Sequence, residues 1–340
     1  MYRKMLFKNI KNSINKKGKI TLNNVELNIR DAAFICYYLI REGEFSKVAA
    51  FLESTAKKIR EGKVQNDEMV YWLWVLGEFL NKTKDSKKLE EFSDLIELCV
   101  NYIAMNWNKP KSNWLGAFDD GIYISNVAID HGALLSISNS MKSEKILKLI
   151  LEMQKFLFEK FLDEGRVVSK VGDKDIFGDI GIIAVPFGLL DAGNQILLQS
   201  INVVENELVE RGVRFSKRDT FFGGCTRSDL TCLLSWYYSE KGNIARAKWL
   251  LEQVDEIWDR DGKLFVVNIE SAKESLYCNH SLDKNGGEID ESYLSYALYA
   301  IAKQNINLKE QMGVSASEEI VILHSPQGTG NPYLHDNKER

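Results

Sequence analysis

The chain has 340 residues, of which 45% are hydrophobic and 27% charged, and 44 Lys and Arg against 48 Asp and Glu leave a net charge of −4. This is globular composition, and at roughly 150 residues per domain the length gives a prior of about two domains. The near-balance of charge gives no reason to expect a nucleic-acid footprint, and the absence of any run of about 18 apolar residues gives no membrane span.

Residues 1–18 are basic and interrupted by Lys and Asn, without the apolar stretch of a secretory signal. The five cysteines, Cys36, Cys99, Cys225, Cys232 and Cys278, form no Cys-x-x-Cys pair. Cys36, Cys99 and Cys232 fall inside apolar helical patterns and read as buried reduced thiols, with the cytoplasm as the expected compartment. His131, His280, His324 and His335 lie far apart, so neither a metal site nor a cofactor is expected.

Apolar residues recur with helical spacing over twelve segments, roughly 4–15, 31–41, 45–60, 67–80, 86–106, 123–139, 143–163, 178–192, 194–210, 228–241, 243–259 and 288–304. Gly43 stops the second, Ser86 opens the fifth, and Gly242 with Asn243 separates the tenth from the eleventh. Strand signals are confined to pieces such as 166–171 and 264–267.

The connections alternate. Those after the even-numbered segments are short, and those after the odd-numbered ones run from about six to nearly thirty residues. In an up-and-down array, successive loops fall at opposite ends, so all the long connections share one end. Six helical hairpins closed into a ring give an all-α (α/α)6 barrel, a six-hairpin toroid. That makes 1–304 a single barrel domain and leaves 305–340 as a tail or strap. The alternative is a solenoid with random loop lengths, but no short-period repeat is visible.

The long-loop end gathers the polar and aromatic residues that could do chemistry. Arg30 and Asp31 open the second segment; Asp31 also suits a helix N-terminus on dipole grounds alone. Asn66, Asp67 and Glu68 precede Tyr71, Trp72 and Trp74. Further along come Trp107, Trp114, Asp119, Asp120 and Tyr123, then Asp173, Asp175 and Asp179. Arg214, Arg218 and Asp219 precede Phe221, Phe222 and a Gly223-Gly224 pair, and the last long loop carries Glu270, Glu274, Asp283, Glu288, Asp290 and Glu291. Singly, an acid is a solvated surface group and a Trp is core. Together on one concave face, rings such as Trp72 and Trp114 can stack on sugars, and Arg with carboxylates can satisfy hydroxyls. Glycoside hydrolysis needs two carboxyl groups flanking the bond, and an inverting pair stands ~6.5–9.5 Å apart.

Five stretches resemble glycoside hydrolase family 15, which contains glucoamylases, glucodextranases and isomaltose-releasing glucohydrolases. They are Asn28-Ile-Arg-Asp-Ala-Ala-Phe34; Asn66-Asp67 with Trp72-Leu-Trp74; Gly178-Asp-Ile-Gly-Ile-Ile-Ala-Val-Pro-Phe-Gly188; Gly212 to Gly224 with the following Leu230–Tyr238 segment; and Tyr293-Leu-Ser-Tyr-Ala297. The resemblance implies an (α/α)6 barrel with an α-glucoside pocket. Arg30, Asp31, Asp67, Trp72, Trp114, Asp179, Arg214 and Asp219 would bind substrate in it. The family's general acid follows a Trp, where this chain has Trp114-Leu115. Its base lies in a segment matched by 261–268, with no acid at that place. The carboxylates nearest these positions are Asp119 and Asp120 for the acid and Glu270 and Glu288 for the base.

These residues imply a carbohydrate-active protein that hydrolyses terminal α-glucosidic bonds of oligosaccharides with inversion. The alternatives are a saccharide-binding or regulatory protein without catalysis, or another six-hairpin glycosidase or lyase. The expected partner is an oligosaccharide, not nucleic acid or membrane, and the oligomeric state is open. The run Ser325-Pro-Gln-Gly-Thr-Gly-Asn-Pro-Tyr333 lacks the Gly-Lys-Ser/Thr ending of a phosphate-binding loop.

Overall fold

A computed structural model of the chain describes residues 2–15, 17–116, 119–258, 262–284 and 289–313. Its helices are α1 (Tyr2–Asn12), α2 (Ile29–Arg41), α3 (Phe45–Arg60), α4 (Glu68–Thr83), α5 (Ser86–Glu91), α6 (Ser93–Asn106), α7 (Ile124–Ser138), α8 (Glu144–Lys160), α9 (Gln195–Glu207), α10 (Ser228–Lys241), α11 (Ile244–Asp255), α12 (Ser275–Lys284) and α13 (Tyr293–Gln311). Their starts are written in the sequence. Asn28, Ser143, Asn194, Asn243 and Ser292 each turn a side-chain oxygen onto an amide of the following first turn, a contact that stabilises a helix by about 1 kcal/mol. Gly242 ends α10 with φ of 92°, a conformation that glycine adopts without a side-chain clash.

The helices close into two concentric rings. α2 packs on α4, α4 on α7, α7 on the 3-10 turn Ile180–Ile183, that turn on α10, α10 on α13, and α13 back on α2. Outside them, α3 lies behind α2 and α4, α8 behind α7, and α11 behind α10. The inner helices are apolar nearly all round because they are covered on both sides. In α4, every residue from Met69 to Gly77 is buried. Close approach is built in at Gly77, where an added Cβ would stand 2.6 Å from the Ser136 carbonyl carbon of α7. The main hydrophobic cluster runs from Ile10 to Ile306, and a smaller one joins Phe222, Cys225, Val267 and Cys278.

Aromatic rings form a chain of contacts within the core. Trp114 meets Phe34 at a centroid separation of 6.1 Å, and Phe34 meets Trp74 at 5.2 Å. Trp74 in turn stacks on Tyr37 at 5.0 Å, and Tyr37 leans on Trp236 at 5.5 Å.

Four expectations change. The segment 178–192 is a short 3-10 turn followed by irregular chain; Gly181, Pro186 and Gly188 disfavour a continuous helix. The segment 86–106 breaks at Phe92 into α5 and α6. The last helix, expected over 288–304, runs instead from Tyr293 to Gln311 with Asn305 and Ile306 buried; residues 314–340 lie outside the described residues. The long connection before α13 contains a helix, α12, that the periodicity did not show.

The strand signals correspond to two-residue strands at Arg166–Val167 and Val267–Asn268. The second pairs antiparallel with Thr226–Arg227, Arg227 opposite Val267, and ties two long connections together. All five cysteines are free and buried. Among the described residues, no helix is long and apolar enough to cross a membrane.

Candidate functional site

Two chambers open at the long-connection end, and both are lined by Arg30 and Leu115. The larger, about 310 Å³, is walled by Asp67, Tyr71, Lys111, Trp114 and Asp130 among others. The smaller, about 220 Å³, is walled by Asp31, Arg227, Asp229, Asp290, Glu291 and Tyr293.

Arg30 belongs to the shared wall, and its neighbour Asp31 lines the smaller chamber. Asn28 caps α2 by accepting from the Asp31 amide at 2.8 Å, and its own amide donates to Asp31 Oδ2 at 3.2 Å. The other Asp31 oxygen accepts from Arg30 Nε at 2.8 Å, and Arg30 Nη1 donates to the Trp114 carbonyl at 2.8 Å. The arginine fork is therefore fixed before any ligand arrives. Across the smaller chamber stands a second pair of the same kind. Arg227 donates to both oxygens of Asp229, at 3.0 and 2.7 Å, at the start of α10.

The larger chamber holds a carboxylate cluster around one lysine. Lys111 Nζ lies 3.3 Å from Asp130 and 3.9 Å from Asp67, and Tyr102 donates its hydroxyl to Asp67. Asp130 sits on α7 and is buried; burial holds its carboxyl above the ordinary range, and Lys111 offsets only part of that. On the other side, Glu291 accepts the Tyr296 hydroxyl at 2.5 Å and the Tyr293 hydroxyl at 3.3 Å, together with the Asn23 amide at 2.5 Å.

Asp179 is placed beneath the chambers and lines neither of them. It is buried and accepts from the Trp114 indole at 2.9 Å and the Asn113 amide at 3.2 Å. Burial raises its carboxyl as well. It acts on the site by fixing Trp114, whose carbonyl holds Arg30.

Arg214 lines neither chamber. Its Nη2 donates to Glu210 at 2.8 Å and to the Ser271 carbonyl at 2.9 Å, pinning the chain before α10 to the turn Ile269–Ser271. Asp219 lies close enough to Arg227 to favour its charge. The Gly223-Gly224 pair beside it permits a tight crossing, since a Cβ on Gly223 would stand 2.3 Å from the Glu274 carbonyl oxygen. Trp72 is placed away from the chambers: it is fully buried, donates its indole N–H to the Leu52 carbonyl at 3.1 Å, and meets Phe92 edge-on.

Of the residues put forward for proton transfer, Asp119, Asp120 and Glu270 are exposed and line neither chamber. Glu288 lies outside the described residues. The chambers instead bring together Arg30, Asp31, Asp67 and Trp114 with Lys111, Asp130, Arg227 and Asp229. The latter four were missed from the sequence. Asp130 left a signal, a lone acid inside the apolar run of α7, and Arg227-Ser-Asp229 repeats the Arg–Asp theme of Arg30-Asp31 at another helix start.

No protein-family model matches the chain. The isomaltose glucohydrolase of Kribbella flavida is 23% identical over 202 residues, 56% of this chain and 52% of the relative. An uncharacterized glycosyl hydrolase of Methanocaldococcus jannaschii is 24% identical over 207 residues, 56% of this chain and 33% of the relative. These matches thus span about half and one third of the two relatives.

Among solved structures, a glycosidase in complex with glucose superimposes with a TM-score of 0.77 at 18% identity, covering 90% of this chain and 96% of that one. A glycoside hydrolase family 15 glucoamylase from Hypocrea jecorina superimposes with a TM-score of 0.64 at 12% identity, covering 91% and 71%. The (α/α)6 barrel is shared with these proteins, and the motif resemblance to family 15 has counterparts in both comparisons.

Proposed function

We propose that this protein hydrolyses terminal α-glucosidic bonds of oligosaccharides with inversion, Asp130 serving as general acid and Glu291 as general base. The observation that carries the reading is the placing of two sets of carboxylates on either side of the wall formed by Arg30 and Leu115. Leu115 stands where the resemblance puts the family's acid, and it lines both chambers. A leucine moves no proton, so the chemistry needs other groups. Burial raises the Asp130 carboxyl above its ordinary range, the direction that a general acid needs. Glu291 is surrounded by donors and set as an acceptor, which suits a base that takes a proton from water. Arg30 and Asp31 offer a rigid donor–acceptor fork to the outer hydroxyls of a terminal sugar, and Trp114 walls the larger chamber. The similarity to an isomaltose glucohydrolase and to a glycosidase in complex with glucose supports the same substrate class. The buried free thiols suit a reducing cytoplasm.

The test is release of glucose, with its anomer read by NMR, from isomalto- and malto-oligosaccharides. Asp130→Asn and Glu291→Gln should each lower kcat by about 10²–10⁴-fold, while Asp119→Asn, Asp120→Asn and Glu270→Gln leave it within a few-fold. The reverse pattern would move the proton-transfer pair to the exposed loop acids. Saccharide binding without turnover of any glucoside would mark a binding protein instead.

A further inference from the structure

The outer helix α8 has two apolar faces. Ile146, Ile150, Met153 and Leu157 are buried on the side that packs onto the barrel. At about 100° of turn per residue, Leu147, Leu151 and Phe158 fall on a second line along the helix, and Leu162 follows just past its end. All four are exposed, at 53%, 64%, 47% and 38%. Among the described residues, the other outer helices α3 and α11 expose no large apolar side chain. A single exposed leucine needs no reason, but a row of them marks an interaction surface.

Beside this stripe runs a row of charges, Lys148, Glu152, Lys155 and Glu159. They pair along their own helix, Lys148 with Glu152 at 3.8 Å and Lys155 with Glu159 at 3.4 Å. Exposed pairs of this kind are weak and readily exchanged. Beyond the row lies α6, held there by Lys145 on the Asn101 side chain and by Trp107 edge-on to Phe156 at 5.0 Å. It exposes Leu98 and Met105, two turns apart on one face.

The charge order Lys, Glu, Lys, Glu has a centre, because the midpoint of 148 and 159 is also that of 152 and 155. A two-fold axis across the helix at that point sets a second α8 antiparallel to the first. Apolar stripe then meets apolar stripe. Charged row meets charged row on the same side of the contact, Lys148 opposite the partner's Glu159 and Glu152 opposite the partner's Lys155. A parallel pair would carry the two rows to opposite sides. The row holds as many negative as positive charges, so it gives no attraction to an anionic lipid surface.

We propose that α8, with α6 beside it, forms the interface of a homodimer in which the two α8 helices lie antiparallel. The face is complementary to itself, which makes a second copy its occupant. A stable interface needs about 1,000 Å² in total, and Leu98 and Met105 of α6 widen the face beyond one helical stripe. Neither chamber is lined by α6 or α8, so the interface is independent of the hydrolytic site.

The experiment is light scattering and sedimentation of the full chain at micromolar concentrations, where wild type should show twice the chain mass. Lys148→Glu with Lys155→Glu makes the row wholly acidic, and Glu152→Lys with Glu159→Lys makes it wholly basic. Each double variant should dimerise at least tenfold more weakly, and an equimolar mixture of the two should form a heterodimer. The fourfold variant that combines all these changes restores an alternating row and should dimerise as wild type does. Leu151→Gln, at an exposed position where folding tolerates it, should weaken the dimer tenfold without altering charge. A monomeric wild type would overturn the proposal, as would a dimer that survives both the acidic row and Leu151→Gln, or a mixture that does not associate. Sedimentation of a monomeric wild type with phosphatidylcholine–phosphatidylserine vesicles would make the stripe a membrane face and equally overturn it.

Discussion

Replacing Arg227 by methionine keeps the aliphatic stem and removes the guanidinium that faces Asp229. The pair is buried, Arg227 at 8% exposure and Asp229 at 2%. The change strips two hydrogen bonds from the carboxylate, at 3.0 and 2.7 Å. Stranding a buried charge in this way costs about 3–5 kcal/mol. Asp229 retains the Leu230 amide at 2.7 Å and the favourable end of the α10 dipole, which places the expected loss at the low end, about 3 kcal/mol. At about 2 °C per kcal/mol for a chain of this size, the melting temperature should fall by about 6 °C. Combining Arg227→Met with Asp229→Leu removes the charge together with its partner and should recover most of the loss, a coupling of about 2 kcal/mol in a double-mutant cycle. Thermal unfolding followed by circular dichroism measures both, and salt should change the result little because the pair is screened from solvent. A single variant that loses less than about 1 kcal/mol, or a double variant no more stable than the single, would refute the reasoning.

Further outcomes follow from the same geometry. Asp179→Ala leaves the Trp114 indole and the Asn113 amide without an acceptor, costing about 2–4 kcal/mol. It should also change Trp fluorescence and weaken saccharide binding, whereas Asp179→Asn keeps an oxygen for both donors and should do neither. Asp130 has a folded-state pKa above its unfolded value, so its contribution to stability is full below about pH 4 and is lost as pH rises through the folded value. The stability of the wild type minus that of Asp130→Asn should therefore decline with rising pH in urea melts, and a rising difference would contradict the burial argument. Gly77→Ala drives a methyl to 2.6 Å from backbone of α7; it should destabilise by about 3 kcal/mol, the upper end for overpacking, as read from the urea midpoint.

The sequence by itself determined the barrel. Helix periodicity and caps are local, so α2, α3, α7, α10 and α11 start close to their expected positions. The alternation of connection lengths is a property of the chain order, which is why the functional end was legible without coordinates. Arg30 and Asp31 were legible for the same reason: they are neighbours in sequence, held by a cap three residues long. The segment 178–192 was misjudged because its apolar spacing mimics a helix, while its glycines and Pro186 disfavour one.

Only the tertiary structure decided which acids face one another. Asp67, Lys111 and Asp130 come from three different elements, and Glu291 finds its donors on α13 and at Asn23, 268 residues away. Burial decided the rest. Trp72 and Trp114 read alike in sequence, yet one points its indole at α3 and the other at Asp179 under the site. Asp119, Asp120 and Glu270 are exposed, while Asp130, inside an apolar helix, is buried, and desolvation raises its carboxyl above the ordinary range. Desolvation depends on what surrounds a group in space, and the linear order of residues does not carry that.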